Sequence, residues 1–169
     1  PMQTTPVPRC YMSINTTACC PTFNPQGWDA QELHFRDKRF VRGTTRSLMH
    51  VPLNMGKVFA RVMTHMEKAG AMDASNYIVL SRDTSAFAAE HMFAVAKAVP
   101  DEEMTTLTGD FITKVFEGPY KNARQWCKDM ADLARARGSE PKSIWFFYTT
   151  CPKCAKAYGE NYVVGVAEL

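Results

Sequence analysis

Two stretches of the chain repeat the same order of predicted elements at nearly the same spacing. In each stretch a β-rich run ends at a proline, an amphipathic helix follows and ends at a glycine, and two further strands come next. Pro52 and Gly70 are 18 positions apart, and Pro119 and Gly138 are 19 positions apart. One strand–helix–strand–strand unit leaves a sheet face uncovered, so the spacing predicts a tandem pair. Chance similarity between two α/β stretches is the alternative.

The spacing predicts an α+β fold in which two such units are related by a pseudo-twofold axis. Unit one would span residues 44–99 and unit two residues 110–167, with both helices on one sheet face. The other sheet face would form a ligand cleft, because pockets commonly lie at seams between units. Residues 1–27 lack periodicity, and residues 1–43 are predicted to form an N-terminal arm and a short packed segment, which leaves 44–169 as the domain.

Local patterns give approximate positions for the elements. Asn54 is a good N-cap for the first helix, and Cys127 lies on the apolar stripe predicted for the second helix, which would place it in the core. Trp28 to Phe40 is predicted to be a short helix or a turn and a strand. The remaining strands are predicted at residues 44–51, 76–81, 91–99, 110–117, 143–149 and 161–167.

Composition narrows the classes of function. The net charge is +3, with Lys and Arg scattered among acids, whereas a nucleic-acid-binding domain needs a dense basic face. No run approaches the roughly 20 apolar residues that cross a bilayer, and the first 21 residues lack the order of a signal peptide. We therefore expect a soluble, cytoplasmic protein whose partner is a small molecule, not a nucleic acid or a membrane. A monomer and a homodimer both remain open.

The repeat and the run Phe116-Glu117-Gly118-Pro119-Tyr120 together resemble the GyrI-like small-molecule-binding domains. The resemblance covers about residues 44–169 and implies a stand-alone member, because the usual DNA-binding domain is not attached. It also implies a central cleft for aromatic, often cationic compounds. Some enzymes of this fold hydrolyse strained, DNA-alkylating cyclopropanes, so the resemblance leaves both binding and hydrolysis open.

Two titratable residues occupy equivalent positions in the two units. His50 and Glu117 each stand two residues before the proline of their unit, which would bring them near each other across the pseudo-twofold axis. A His–Glu pair in a cleft could act as general acid and base. Alternatively, Glu117 caps a helix or faces solvent, and His50 is a hydrogen-bonded, half-buried histidine. The resemblance also implies a carboxylate on the closing strand, for which Glu160 and Glu168 are both candidates.

Aromatic residues are concentrated in the strand Trp145-Phe146-Phe147-Tyr148. With a period of two, Trp145 and Phe147 share one face and Phe146 and Tyr148 the other. One pair should meet the helices and the other should line the cleft, where rings bind aromatic or cationic ligands. Tyr148 is the preferred ligand-binding residue because its hydroxyl requires a polar partner; Phe146, Trp145 and Tyr120 are further candidates. Core packing alone is the alternative.

The cysteines form a second motif, centred on the turn Cys151-Pro152-Lys153-Cys154. A single C-x-x-C is half of a zinc site, and Cys19 and Cys20 could complete a structural zinc site. A reactive dithiol also fits the spacing, although only one short turn is expected before Gly159. Buried thiols are the third interpretation. Apart from this zinc, the sequence implies no cofactor.

Three functions follow from these observations. In the first, the chain binds a hydrophobic, aromatic small molecule in a cleft between the units. The alternative is a hydrolase of a reactive electrophilic small molecule that uses a Glu or His of the cleft. The third is an interaction protein centred on zinc or on the thiols.

Overall fold

The chain folds into a mixed α+β structure, as predicted. A computed structural model describes residues 4, 6–8, 23–73, 76–149 and 152–169, without the side chains of 152 and 153. The strands are β1 Glu32–Leu48, β2 Val51–Pro52, β3 Val79–Ser85, β4 Ala88–Ala94, β5 Glu103–Glu117, β6 Ser143–Tyr148 and β7 Tyr162–Glu168. The helices are α1 Met55–Lys68, α2 Ala123–Ala136 and α3 Pro152–Tyr158, and a 3-10 turn, Tyr120–Asn122, precedes α2.

Six of the strands form a barrel-like antiparallel sheet. The order is β1-β4-β3-β6-β7-β5, and β5 pairs again with β1, which closes the sheet on itself. The β1–β5 ladder runs from Glu32 opposite Ile112 to Arg42 opposite Glu103. The short strand β2 forms a hairpin with the end of β1 and lies outside this closed set.

Because the sheet closes on itself, the face that was predicted to form a ligand cleft becomes the interior of the barrel. Aromatic side chains fill this interior. Phe35 packs against Phe40 and Phe111, with ring centroids 6.2 and 5.1 Å apart, and all three are at most 1% exposed. The predicted cleft on this face is therefore wrong, because β1 and β5 pair and bury the face.

The residues just before β1 close one end of the barrel. Trp28 is fully buried, and its ring centroid lies 5.6 Å from that of Phe147. Phe23 packs against the same two rings, and the hydroxyl of Thr113 donates to the carbonyl of Trp28. Phe23 and Trp28 are thus part of the core.

β1 is much longer than predicted, and the expected domain boundary at residues 43 and 44 falls inside it. The register against β5 shifts between Phe35 and Lys38, and Asp37 has a φ of +54°. A bulge of this kind reverses the alternation of inward and outward side chains. The sequence pattern of residues 32–43 therefore did not indicate one strand.

Both long helices pack outside the barrel and end as predicted. Gly70 and Gly138 follow α1 and α2 with φ values of +61° and +82°, a left-handed conformation that glycine adopts without strain. Asn54 does not cap α1 through its side chain; its Oδ1 instead accepts a 2.7 Å hydrogen bond from the backbone N–H of Arg46. Cys127 is exposed on α2, so its predicted place in the core is also wrong. Within the described residues, no helix has the length and apolar character needed to cross a membrane.

Candidate functional site

An open cavity of about 400 Å³ lies where the turn between β5 and α2 faces α3 and the start of β7. One wall is the tip of β5 and the following turn, and the other is α3 with the turn behind it. The lining residues are Glu117, Gly118, Pro119, Tyr120, Ala155, Lys156, Gly159, Glu160 and Asn161. The cavity thus contains Glu117 and Tyr120 of the Gly-Pro-Tyr turn and one candidate acid of the closing strand.

Two hydrogen bonds between Gly118 and Asn161 hold the walls of the cavity together. The N–H of Gly118 donates to the carbonyl of Asn161 over 3.1 Å, and Nδ2 of Asn161 donates to the carbonyl of Gly118 over 2.8 Å. Gly118 has a φ of +141°, which other residues rarely adopt. Oδ1 of Asn161 is buried, and it is the one such side-chain atom among the described residues without a hydrogen-bond partner. A ligand or water that donates to it would remove the cost of leaving it unpaired.

The two acids of the cavity differ in their partners. Glu160 accepts a hydrogen bond from the phenol of Tyr162. The pKa of that phenol is raised by burial and, to a smaller extent, by the charges of Glu160 and Glu117. Tyr162 therefore remains a hydrogen-bond donor at neutral pH. Glu117 is exposed, and its backbone lies opposite Tyr162 in the β5–β7 ladder. The carboxylate of Glu117 has no hydrogen-bond or ion-pair partner among the described residues. The Glu117 carboxylate is thus accessible to a ligand or to water.

Tyr120 connects the cavity to an exposed aromatic surface. Its ring centroid lies 5.6 Å from that of Tyr148 in an edge-to-face arrangement. Tyr148 is 37% exposed, and the Phe146 centroid lies 6.1 Å away. Burial of part of the ring, with the nearby charge of Asp83, raises the pKa of Tyr148 to about 12. The phenol therefore stays neutral and offers an apolar ring with a polar tip.

The predicted aromatic residues of β6 divide between the two faces, as a period of two requires. Phe146 packs with Trp126 in the cluster under α2, and Phe147 lies in the barrel interior. Trp145 is also interior, where the guanidinium of Arg82 stacks 4.2 Å from its ring centroid. Of the four predicted ligand-binding residues, Tyr120 lines the cavity, whereas Tyr148, Phe146 and Trp145 do not.

The structure does not bring His50 and Glu117 together. β1 and β5 are antiparallel, so the equivalent ends of these two strands point in opposite directions. Nδ1 of His50 instead lies 2.7 Å from Oδ2 of Asp83, beyond the end of β1. A general acid–base pair made of these two residues is therefore not formed.

The second candidate acid of the closing strand also lies away from the cavity. Glu168, at the far end of β7, accepts a 3.0 Å hydrogen bond from the hydroxyl of Ser143. Of the two acids, the structure therefore places only Glu160 beside Glu117.

The proposed zinc ligands are mostly beyond what the structure describes. Cys19, Cys20 and Cys151 lie outside the described residues, and Cys154 is buried in α3. No group of three or more metal-binding side chains occurs within the described part of the chain. The segment that follows Cys151 forms a helix of seven residues, longer than the single turn that was predicted.

A second polar cluster, under α1, superficially resembles a nucleophile–base pair. Nδ1 of His91 lies 2.7 Å from the hydroxyl of Ser81, and Nε2 lies 2.9 Å from the hydroxyl of Thr45. All three residues are at most 5% exposed, and the Phe59 ring packs edge-on against His91. Burial lowers the pKa of His91 to about 4, far from the value near operating pH that a general base requires. The cluster is therefore a satisfied buried network that stabilises the fold.

This network makes stability depend on pH. Because the pKa of His91 is about 4 when folded and about 6.5 when unfolded, the unfolded chain binds the proton first. The contribution of neutral His91 is complete above pH 6.5 and decreases as the pH falls towards 4, by about 3 kcal/mol in total. Urea unfolding between these values should show this decrease in the wild type.

A variant identifies the responsible group. His91→Gln should be less stable than the wild type at pH 7 but should have a shallower pH dependence. Burial opposes ionisation of Glu90, but hydrogen bonds from Arg42 and Arg82 outweigh it and lower the pKa of the carboxyl. The stability that ionised Glu90 contributes is therefore lost at a lower pH than the contribution of His91. Equal slopes in the wild type and His91→Gln would contradict the assignment.

Sequence reasoning missed two residues of the cavity, Asn161 and Lys156. Neither residue belongs to a motif. Both line the cavity because α3 forms and the chain then continues into β7, which pairs with β5. The run Gly159-Glu160-Asn161 before a predicted strand was the available signal, since such residues favour turns. It indicated a turn but not what the turn would face.

The fold and the cavity define a small α+β barrel protein with a carboxylate-lined open site. The family described as "Bacterial hydrolase" matches residues 10–169 of the chain. The chain therefore belongs to this family. No curated protein sequence matches it significantly.

Proposed function

We propose that the protein hydrolyses a small electrophilic molecule in the cavity between the β5–α2 turn and α3. Membership of a bacterial hydrolase family favours hydrolysis over binding alone. The observation that carries the proposal is the pair of acids, Glu117 and Glu160, at one cavity whose wall also presents the buried, unpaired side-chain oxygen Oδ1 of Asn161. Hydrolysis needs a base that accepts a proton from water and a polar wall that orients the reactants.

The two acids have different roles in this proposal. Glu117, which is unpaired, accepts a proton from water as the water oxygen forms a bond to the electrophilic carbon. The bond from that carbon to the leaving atom breaks, and the leaving atom takes a proton from a donor in the cavity or from solvent. Glu160 is held by Tyr162 and orients the water, and the exposed ammonium of Lys156 stabilises the negative charge that develops.

The substrate in this proposal is small and has an aromatic or other apolar part. Tyr120 borders the cavity and contacts Tyr148 edge-to-face, so a planar group could extend from the acids onto these rings. This retains the aromatic ligand expected from the sequence, with Tyr120 and Tyr148 as the binding residues.

We also propose that the two halves are copies of one unit, as the GyrI-like resemblance implies. In the first half β4 pairs with both β1 and β3, and in the second half β7 pairs with both β5 and β6. The two cross-connections, β1–β5 and β3–β6, join equivalent strands. This pairing supports a pseudo-twofold relation within the barrel.

A cavity-filling variant tests where hydrolysis takes place. Ala155 is half-buried on α3 and lines the cavity, so Ala155→Trp should obstruct it and lower kcat/KM by about 10²-fold. The assay is turnover of a panel of chromogenic aryl esters and aryl epoxides. Ala157→Trp is the matched control, because Ala157 is exposed on the same helix and does not line the cavity. No turnover of any probe, or equal losses in both variants, would contradict the proposal.

A further inference from the structure

Five large apolar side chains form one exposed patch beyond the end of β1, whereas the cavity lies at the end of β5. They lie on the β1–β2 hairpin, its continuation into α1, and the tip of the β3–β4 hairpin. Each is between 58% and 66% exposed: Leu48, Met49, Val51, Leu53 and Phe87. We call these residues the hairpin patch.

Backbone hydrogen bonds join the two hairpins into one surface. The N–H of Ser47 donates to the carbonyl of Phe87, and the N–H of His50 donates to the carbonyl of Ala86, each over 2.8 Å. The side chains of the hairpin patch therefore belong to a single hydrogen-bonded platform rather than to independent loops.

The turn that presents part of the patch is strained. Met49 and His50 have φ values of +49° and +68°, the left-handed pair of a type I′ turn, which strongly favours Asn-Gly. Met49 is nevertheless 66% exposed, so burial in this chain does not offset the strain. Unfavourable backbone conformation together with exposed apolar side chains indicates a surface that is covered in use.

The size and the rim of the patch indicate what covers it. Five such side chains expose on the order of 500 Å², and two patches face to face would bury about 1,000 Å², the smallest area expected of a biological interface. The rim carries both signs of charge, with Arg46 on β1 and Asp83 on β3, both exposed. A twofold axis lets Arg46 of one copy approach Asp83 of the other, whereas an anionic membrane would favour cations alone.

We propose that the hairpin patch is an isologous interface through which two copies of this chain form a dimer. A twofold interface uses the same patch on both copies, and the cavities would remain open because no residue that lines them belongs to the hairpin patch. This inference is independent of the hydrolytic activity.

Light scattering after size-exclusion chromatography, over a micromolar concentration series, tests the interface. The chain has a mass of 19.0 kDa, and the wild type should approach twice that mass as the concentration rises. Leu53→Glu and Phe87→Glu should each raise the dimer dissociation constant at least about tenfold. Met72→Glu is the control, since Met72 is 45% exposed near the opposite end of β4. Circular dichroism spectra should be unchanged in all three variants.

Three results would overturn the dimer. The first is a monomeric mass at every concentration, and the second is equal dissociation by Phe87→Glu and Met72→Glu. The third is a monomer that co-sediments with vesicles of phosphatidylserine and phosphatidylcholine and loses that binding in Leu53→Glu, which would assign the hairpin patch to a membrane surface.

Discussion

Glu117→Gln is expected to lower kcat/KM for hydrolysis by about 10²–10⁴-fold, the usual contribution of a general base. The amide keeps the size of the side chain but cannot accept a proton. Because Glu117 is exposed and unpaired within the described residues, the melting temperature should stay close to that of the wild type. The loss should therefore appear in kcat, with little change in KM.

Two further variants make this expectation specific. Glu160→Gln should cost less, because the amide still accepts the hydrogen bond from Tyr162 and can still orient water. Glu67→Gln, at an exposed position on α1, should leave the rate unchanged. An inactive Glu160→Gln beside an active Glu117→Gln would assign the base to Glu160 and contradict the roles proposed above.

Trp28→Ala is expected to destabilise the protein by about 3–5 kcal/mol, as truncation of large buried aromatic residues commonly does. Trp28 is fully buried at the barrel end and packs on Phe23 and Phe147. The backbone carbonyl that accepts from Thr113 is retained in the variant, so the measured loss reports the ring alone. Such a loss is a large fraction of the roughly 5–15 kcal/mol that stabilises a typical domain.

Chemical unfolding of Trp28→Ala and of Met72→Ala measures this effect. Met72 is substantially exposed, so its truncation should change the free energy of unfolding by no more than about 0.5 kcal/mol. A loss below about 1 kcal/mol for Trp28→Ala would show that the segment before β1 folds separately from the barrel, contrary to the packing described here.

Several features were predictable because they depend on neighbouring residues in the chain. Gly70 and Gly138 end the two long helices because only a left-handed residue closes such a helix without strain. The alternation along residues 145–148 follows from the pleat of a strand, and the position of Glu117 at the end of β5 follows from the proline two residues later. Asn54 was a good local candidate for a cap, yet its side chain bonds to Arg46 across the hairpin.

The sequence by itself thus determined the type and order of most elements, the ends of α1 and α2, and the presence of Glu117 and Tyr120 at one turn. Only the tertiary structure shows that β1 pairs with β5. This pairing makes the predicted cleft a packed interior and places His50 and Glu117 at opposite ends of the β1–β5 strand pair. It also decided that α3 brings Glu160 and Asn161 against that turn. Hydrophobic periodicity reports the local backbone conformation. Strand pairing instead depends on contacts between residues that are distant in sequence, and packing must offset the entropy lost when the chain between them is closed into a loop.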